Sequence, residues 1–267
     1  AFNGQDVLDA LDETGIVAPS MVAQWKMDEG AGSIVNDSRN DNDGVIVGLD
    51  TVAAWIADGG ISFDDVDGNH IEVPHADILD FGDQSFTISL LVRYESMPAT
   101  TDRWIIKGTH GSPGTGSRYE VFATDGGTLR FSIDNGPANV KSRIEVPLYP
   151  YVTNNWCHAV AVRNSVTDKV LLYANGIEQG SADETSGDIS SGEVMWIGES
   201  TDETGTASSC DMKDVRIYNY AMRADQVLDL FNTYGILSAD ALLTAITLDP
   251  TADLDPAFDQ FVTDYAC

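Results

Sequence analysis

The sequence predicts an all-β protein in which two antiparallel sheets stack as a jelly-roll sandwich, with short N- and C-terminal helices. From Val22 onward, short apolar runs are separated by Gly, Asn and Asp, as in a sheet protein with many turns. One run alternates apolar and polar residues over ten positions, which is the period of a half-buried strand. The chain has 267 residues, a length that suits one large sandwich with short extensions.

The first predicted element is a helical lead-in within residues 1–20, where Val7, Leu8 and Leu11 have helical spacing. The sandwich is predicted over residues 21–235, and its clearest strand is SFTISLLVRYE. The side chains expected on the buried face of that strand are those of Phe86, Ile88, Leu90, Val92 and Tyr94. About eleven or twelve strands are expected, and each can bury a face only if two sheets stack.

Two hairpins and one helix follow in the sequence. YEVFATDGGTLRFSIDNG predicts a hairpin, because 125–127 supply residues that accept positive φ, and KVLLYANGIEQG predicts another at Asn175-Gly176. After Tyr220 the apolar period changes to that of a helix. The apolar residues at this spacing are Ala224, Val227, Leu228 and Phe231. Gly235 is placed to cap the helix.

Charge and hydropathy exclude two kinds of partner. Fourteen Lys and Arg residues against 43 Asp and Glu residues give a net charge of -29, which repels nucleic acid and anionic lipid. No run of about 18 apolar residues is present, and AFNGQD lacks the order of a signal peptide, so we expect a mature or excised piece. We therefore predict no nucleic-acid partner and no membrane insertion.

The three cysteines fit neither a zinc site nor a disulfide scaffold. Cys157 and Cys210 lie in predicted strands and Cys267 is the last residue. We predict buried thiols at Cys157 and Cys210, with a bridge between them as the alternative.

Several phrases resemble, in order, the laminin-G-like (concanavalin A-like, pentraxin-related) domain of secreted bacterial proteins. They are WKMDEGAGSIVNDSRNDNDG, WIADGGISFDDVDGNHIEVP, FTISLLVRY, WCHAVAV, VLLYANG, MWIGES and KDVRIYNYAM followed by a helix. The resemblance covers residues 21–235 and implies a concanavalin A-like jelly roll in a secreted or cell-surface protein.

The polar phrase NDSRNDNDG, residues 36–44, poses the question of a calcium loop. An EF-hand register with Gly44 at position six would place Arg39 at the first ligand position, which excludes that motif. The family resemblance instead implies a calcium site at Asp28, Asp37 and Asp214. The alternative is that Asp28 and Asp37 cap turns while Asp214 pairs with Arg216.

The segment 236–267 is too short for a core of its own and is predicted to be a linker and the truncated start of a following β-sandwich repeat. It resembles the opening strands of a bacterial cadherin-like repeat. The matching residues are Leu254, Pro256, Phe258, Thr263 and Tyr265. Other domains of a longer parent protein are therefore expected partners.

No catalytic residue is predicted. Glycoside hydrolases need two carboxylates within about 10 Å, whereas Glu193 and Glu199 lie six strand residues, roughly 20 Å, apart. The phrase E-x-D-x-x-E of laminarinase-type sandwiches and the Tyr/His motifs of alginate lyases do not occur. The sequence leaves an enzymatic role open and favours a noncatalytic one.

A carbohydrate-binding module is the function that the sequence favours, because such modules need exposed aromatic rings and a few polar groups on loops. The predicted ligand-binding residues are Arg103, Trp104, His110, Arg118, Tyr119, Tyr149 and Tyr151. Arg103 and Arg118 indicate an anionic polysaccharide in so acidic a chain. Trp25, Trp55 and Trp156 are interpreted as structural. The alternative function is an adhesion or spacer domain that binds protein partners.

Overall fold

The structure is a computed structural model that describes residues 20–96, 98–110, 116–138, 140–148 and 154–236. Within these ranges the chain forms fifteen strands, one 3₁₀ helix (Asp77–Leu79) and one α-helix, α1 (Ala224–Thr233). The strands are β1 (Met21–Trp25), β2 (Ile34–Val35), β3 (Gly44–Val47), β4 (Ile61–Ser62), β5 (His70–Val73), β6 (Phe86–Arg93), β7 (Asp102–Gly108), β8 (Arg118–Ala123), β9 (Thr128–Asn135), β10 (Val140–Pro147), β11 (Cys157–Asn164), β12 (Lys169–Ala174), β13 (Ile177–Asp183), β14 (Met195–Ile197) and β15 (Asp211–Tyr218).

The strands form two stacked antiparallel sheets, which confirms the predicted sandwich. In the described ranges one sheet has seven strands in the order β1-β15-β6-β11-β12-β13, with β4 also paired to β15. The other has eight, in the order β10-β9-β8-β7-β14-β5-β3-β2. Strands far apart in the chain are neighbours, as β1 and β15 are, so the two ends of the described chain meet in one sheet.

The inward face of β6 lies at the centre of the core. Phe86, Ile88, Leu90, Val92 and Tyr94 are all fully buried there, as their alternation predicts. Burying a large apolar side chain contributes about 1.5–3 kcal/mol. This single strand is therefore a substantial part of the force that holds the two sheets together.

The predicted hairpins are confirmed. β8 and β9 pair directly, and their turn has Gly127 at φ +70°, a left-handed conformation that glycine adopts without strain. β12 and β13 are joined at Asn175 and Gly176, whose φ values of +50° and +81° suit a two-residue turn.

Helix α1 covers part of the outer face of the seven-stranded sheet, where "outer" means the face turned away from the other sheet. Val227 and Phe231 are buried, and Val227 packs in a cluster with Val160 and Tyr173. Leu228, which shares the apolar helical spacing, is 44% exposed. Gly235 follows the helix at φ +65°, as its predicted capping role requires.

Two further predictions concern the core and the membrane. Cys157 and Cys210 are buried free thiols, as predicted. Burial raises the pKa of the Cys157 thiol to about 12, which keeps it protonated and unreactive. A search of the described residues finds no helix long and apolar enough to cross a membrane.

Some predictions lie outside the described residues, and some strands were not predicted. The lead-in helix of residues 1–20 lies almost entirely outside them, and the cadherin-like segment beyond 236 lies wholly outside. The structure has more strands in its described part than the eleven or twelve expected. β2 and β4 have two residues each, which is too short for an alternating pattern to reveal.

Candidate functional site

The outer face of the eight-stranded sheet is open near its β2 edge. Ile34, Val45 and Val47 are exposed there by 43%, 42% and 39%, respectively. Ile34 pairs with Val45 across β2 and β3, and β5 is the next strand of the sheet. This edge therefore presents a small apolar surface to solvent, unlike the part of the opposite sheet that α1 covers.

Trp196 lies beside this surface and is held in one orientation. It stands on β14 opposite Glu72 of β5, and its indole Nε1 donates a hydrogen bond to Glu72 Oε2 at 3.1 Å. Its ring stacks on that of His70 with 3.6 Å between the centroids and 17° between the planes. Trp196 is partly exposed. His70 and Glu72 thus fix the orientation of the Trp196 ring while part of the ring stays accessible to solvent.

The orientation of His70 is in turn fixed by Glu199. Its Nδ1 lies 3.2 Å from Glu199 Oε2, and Glu199 also accepts the backbone N–H of Gly68 at 2.9 Å. Burial lowers the pKa of His70, although the Glu199 carboxylate opposes that shift. The imidazole is therefore neutral near pH 7, where a flat neutral ring supports the indole of Trp196.

The same outer face carries an ion-pair network on β7, β8 and β9. Arg103 Nη1 binds Glu120 Oε2 at 2.8 Å, and its Nη2 binds Glu203 Oε2 at 2.6 Å. Arg118 Nη1 contacts Asp134 Oδ2 at 2.7 Å. Each of the two arginines is paired with carboxylates, so the network carries no excess positive charge.

His110 completes the network from the loop after β7. Its Nδ1 lies 2.7 Å from Asp202 Oδ1, and its Nε2 lies 3.3 Å from Glu120 Oε2. Burial opposes ionisation of Glu120, but the bond from His110 and the charges of Arg103 and Arg118 prevail and lower its pKa to about 2. Burial likewise opposes protonation of His110, and its carboxylate partners prevail and raise its pKa. Glu120 is therefore ionised at neutral pH.

The structure separates the predicted ligand-binding residues. Arg103, His110 and Arg118 meet in the network. The prediction that Trp104 and Tyr119 form a surface platform is wrong, because both rings lie in the core and are 0% and 2% exposed, respectively. Tyr149 and Tyr151 lie outside the described residues.

The three predicted calcium ligands lie in different settings. Asp28 is exposed, whereas Asp37 closes the polar corner by accepting the backbone N–H groups of Gln24 and Arg39, both at 2.9 Å. Asp214 binds Arg216 at 2.6 Å. These contacts are those of the turn-and-ion-pair alternative. The part of the chain that the structure describes contains no group of three or more His, Cys, Asp or Glu side chains that could hold a metal.

Glu120 does not suit the role of the general acid in glycoside hydrolysis. Glu120 and Glu203 lie close together because both bind Arg103. A general acid for this reaction needs a carboxyl group whose pKa is raised, so that it carries a proton to donate. The pKa of Glu120 is about 2, so Glu120 cannot act as that acid near neutral pH.

A family model described as "Concanavalin A-like lectin/glucanases superfamily" matches residues 65–228, more than half of the chain. The chain belongs to this superfamily. The match confirms the predicted family resemblance; nothing in the comparisons shows the cadherin-like repeat. A comparison with curated proteins finds no match.

Among the solved structures with the same fold are binding domains of clostridial toxins. The botulinum neurotoxin serotype G binding domain is 15% identical, with a TM-score of 0.60, over 80% of this chain and 51% of that one. The receptor binding domain of botulinum neurotoxin D is 12% identical, with a TM-score of 0.59, over 80% and 53%. The binding domain of Paraclostridial Mosquitocidal Protein 1 is 15% identical, with a TM-score of 0.53, over 78% and 47%. At such identities the likeness shows the fold, and this superfamily member spans about half the length of those chains.

Sequence spacing does not predict the Trp196 cluster, although it does indicate that Trp196 faces outward. In the phrase VMWIG, Met195 and Ile197 are buried in the core, so the alternation turns Trp196 to the outer face. The partners of Trp196 lie on another strand, more than 120 residues earlier in the chain. Sequence spacing could therefore indicate an outward tryptophan but not the His70 stack that orients it.

Proposed function

We propose that this chain is a noncatalytic carbohydrate-binding domain of an extracellular protein, with the glycan lying on the outer face of the eight-stranded sheet. The observation that carries the proposal is the partly exposed Trp196, fixed by His70 and Glu72. An indole ring stacks on the apolar C–H face of a sugar, and a nearby carboxylate accepts hydrogen bonds from sugar hydroxyls. Membership of a lectin and glucanase superfamily supports this function.

A neutral sugar suits the Trp196 cluster better than an anionic one. Glu72 lies beside the ring, and the chain carries a net charge of -29. The charges of Arg103 and Arg118 are balanced by Glu120, Asp134 and Glu203. The two arginines therefore provide no reason for an anion to bind at this face.

The Trp196→Ala variant is expected to weaken binding of a neutral glycan by roughly 30-fold, because a central tryptophan in an interface contributes about 2 kcal/mol or more. The partly exposed ring contributes less to folding, so we expect the free energy of unfolding to fall by about 1–2 kcal/mol. A neutral-glycan array identifies the probe, and isothermal titration with that glycan then compares the two proteins.

Two control variants separate binding from folding. Trp196→Phe keeps an aromatic ring and is expected to retain most of the affinity. Ile177→Ala removes an exposed side chain, 48% accessible, on the other sheet and should leave binding unchanged. If folded Trp196→Ala binds as tightly as the native chain, or the native chain binds no neutral glycan on the array, the proposal is wrong.

A protein partner is the second candidate function. The exposed side chains of Ile34, Val45 and Val47 form an apolar surface at the β2 edge, and such surfaces favour contact with another protein. In an adhesion or spacer domain, Ile34→Lys on the edge strand β2 would abolish capture of a purified partner domain. In a glycan-binding domain, the same substitution would leave Trp196-dependent glycan binding in place.

Calcium at Asp28, Asp37 and Asp214 stays a prediction, and one measurement tests it. An ion that binds the folded chain raises the melting temperature by mass action. Thermal unfolding with millimolar calcium and with a chelator should then differ, and Asp214→Asn should remove the difference. Identical melting in the two buffers would contradict the calcium site.

A further inference from the structure

A second surface tryptophan, Trp156, lies at one end of the outer face of the seven-stranded sheet. The sequence predicts a structural role for Trp156, and the structure shows that its side chain is also partly exposed to solvent. It precedes β11, whose first residue pairs with Val92, so Trp156 lies beside Arg93 of β6. Lys213 of the neighbouring strand β15 reaches the same ring. Three strands thus bring one indole and two cations together.

The two cations contact the indole ring directly. Arg93 Cζ lies 4.5 Å from the ring centroid of Trp156, and Lys213 Nζ lies 4.1 Å from it. Both distances are within the range of cation–π attraction. Arg93 is further held by Asp211, whose Oδ2 accepts from Nη2 at 2.7 Å and from Nε at 2.9 Å. Asp211, a residue of strand β15, therefore fixes the orientation of the Arg93 side chain at the site.

One carboxylate oxygen, Asp58 Oδ2, lies near three nitrogen donors of this site. It accepts from Trp156 Nε1 at 3.2 Å and from Arg93 Nη1 at 3.5 Å, and it lies 3.9 Å from Lys213 Nζ. The last two distances are long beside the 2.7 Å of Arg93 and Asp211. Lys213 Nζ donates instead to the backbone oxygen of Asp58, at 3.2 Å. The Asp58 carboxylate therefore makes no short contact with either cation, whereas an anion with several oxygens can offer each donor its own acceptor.

Asp58 is also placed so that it could leave. Its side chain is 55% exposed, and it lies in a turn just before Gly59 and Gly60, whose φ values are +81° and +122°. The backbone of the turn is hydrogen-bonded, since Gly59 N–H donates to Ile56 O at 3.1 Å and Gly60 N–H donates to Met27 O at 2.7 Å. An external anion would therefore need to displace only the exposed side chain of Asp58 and not the turn.

Without Asp58, the nearby carboxylates are Asp211, which binds Arg93, and Asp214, which acts on Lys213 but is itself paired with Arg216 at 2.6 Å. Arg93 and Lys213 against Asp211 then leave one net positive charge at the site.

We propose that Trp156, Arg93 and Lys213 form a second binding site, for the anionic group of an acidic sugar, and that Asp58 occupies the anion position until the ligand displaces it. The ligand class is a sugar with a carboxylate or a sulfate ester, whose anionic group takes the place of the Asp58 carboxylate beside the indole N–H, Arg93 and Lys213. The site is on the opposite sheet from Trp196, and the inference does not depend on the neutral-glycan proposal.

The test measures binding of dextran sulfate, polygalacturonate and uncharged dextran by titration at low ionic strength. Trp156→Ala and Lys213→Met are each expected to weaken binding of the acidic polymers at least tenfold. Asp58→Asn removes the internal competitor and is expected to strengthen that binding several-fold. A purely structural cluster would not gain affinity from the loss of Asp58, so this variant separates the two interpretations.

Matched controls come from another exposed ion pair of the same sheet. Lys169 and Asp183 lie 2.6 Å apart on β12 and β13, and Lys169→Met and Asp183→Asn make the same charge changes away from Trp156. They should leave binding within about twofold of the native chain. Preference for dextran sulfate or for polygalacturonate identifies the anionic group. Absence of binding by both the native chain and Asp58→Asn, or unchanged binding by folded Trp156→Ala, overturns the proposal.

Discussion

The Trp104→Ala variant is expected to lose about 3–5 kcal/mol of stability, the usual cost of deleting a buried tryptophan side chain. Trp104 is fully buried between the sheets, and its Nε1 donates a 2.7 Å hydrogen bond to the hydroxyl of Tyr94. Replacement by alanine leaves a cavity and removes the donor from a buried hydroxyl. The free energy of unfolding of a typical domain is about 5–15 kcal/mol. The substitution is therefore expected to remove a large fraction of the stability of the native state.

Urea unfolding followed by tryptophan fluorescence measures this loss. Trp104→Phe keeps most of the ring volume and should recover more than half of the stability lost in Trp104→Ala. Trp196→Ala is the comparison that separates core from site, since it should lose glycan affinity with a much smaller loss of stability. If Trp104→Ala melts like the native chain and loses glycan binding, Trp104 lies at a ligand site and not in the core.

The position of Trp104 shows what alternation in a sequence cannot reveal. The register of β7 and β8 shifts between Arg103 and Ile105, so Trp104 and Ile105 are consecutive residues that both reach the core. Such a bulge breaks the period-two rule on which a prediction of faces depends. Tyr119 differs, because it alternates regularly with Val121 into the core. Its burial was therefore readable from the strand pattern, and its assignment to a ligand site went against that pattern.

The strand framework, the hairpins and the helix were predictable because they depend on local periodicity and turn residues. The sites were harder, because their members come from distant parts of the chain. Arg103 and Glu203 are 100 residues apart, and Trp156 and Asp58 are 98 apart. Alternation also does not reveal whether the other sheet or a helix packs against a given face of a strand. His158 is fully buried although it lies on the outer face of its sheet, because Phe231 of α1 stacks on it there.

The Glu120→Gln variant is expected to lose about 3–5 kcal/mol of stability at neutral pH, as when one partner of a buried ion pair is removed. Glu120 is almost fully buried and lies against Arg103, Arg118 and His110. The neutral amide leaves these cations without their shared counter-charge. Glu145→Gln is the matched control, because Glu145 binds Arg130 at 2.6 Å on the same face but is 38% exposed, and an exposed pair contributes about 0–1 kcal/mol.

The dependence of stability on pH provides the sharper test of this residue. The pKa of Glu120 falls from an ordinary 4.5 to about 2 in the folded chain, so the folded state binds its proton less readily than the unfolded state. Its contribution is complete above about pH 4.5 and is lost as the pH falls towards 2. Denaturant titrations between pH 6 and 3 should therefore show a shallower decline for Glu120→Gln than for the native chain. Parallel declines in the two proteins would mean that Glu120 is not the ionised centre of the network and that its carboxyl group can hold a proton, as a general acid must.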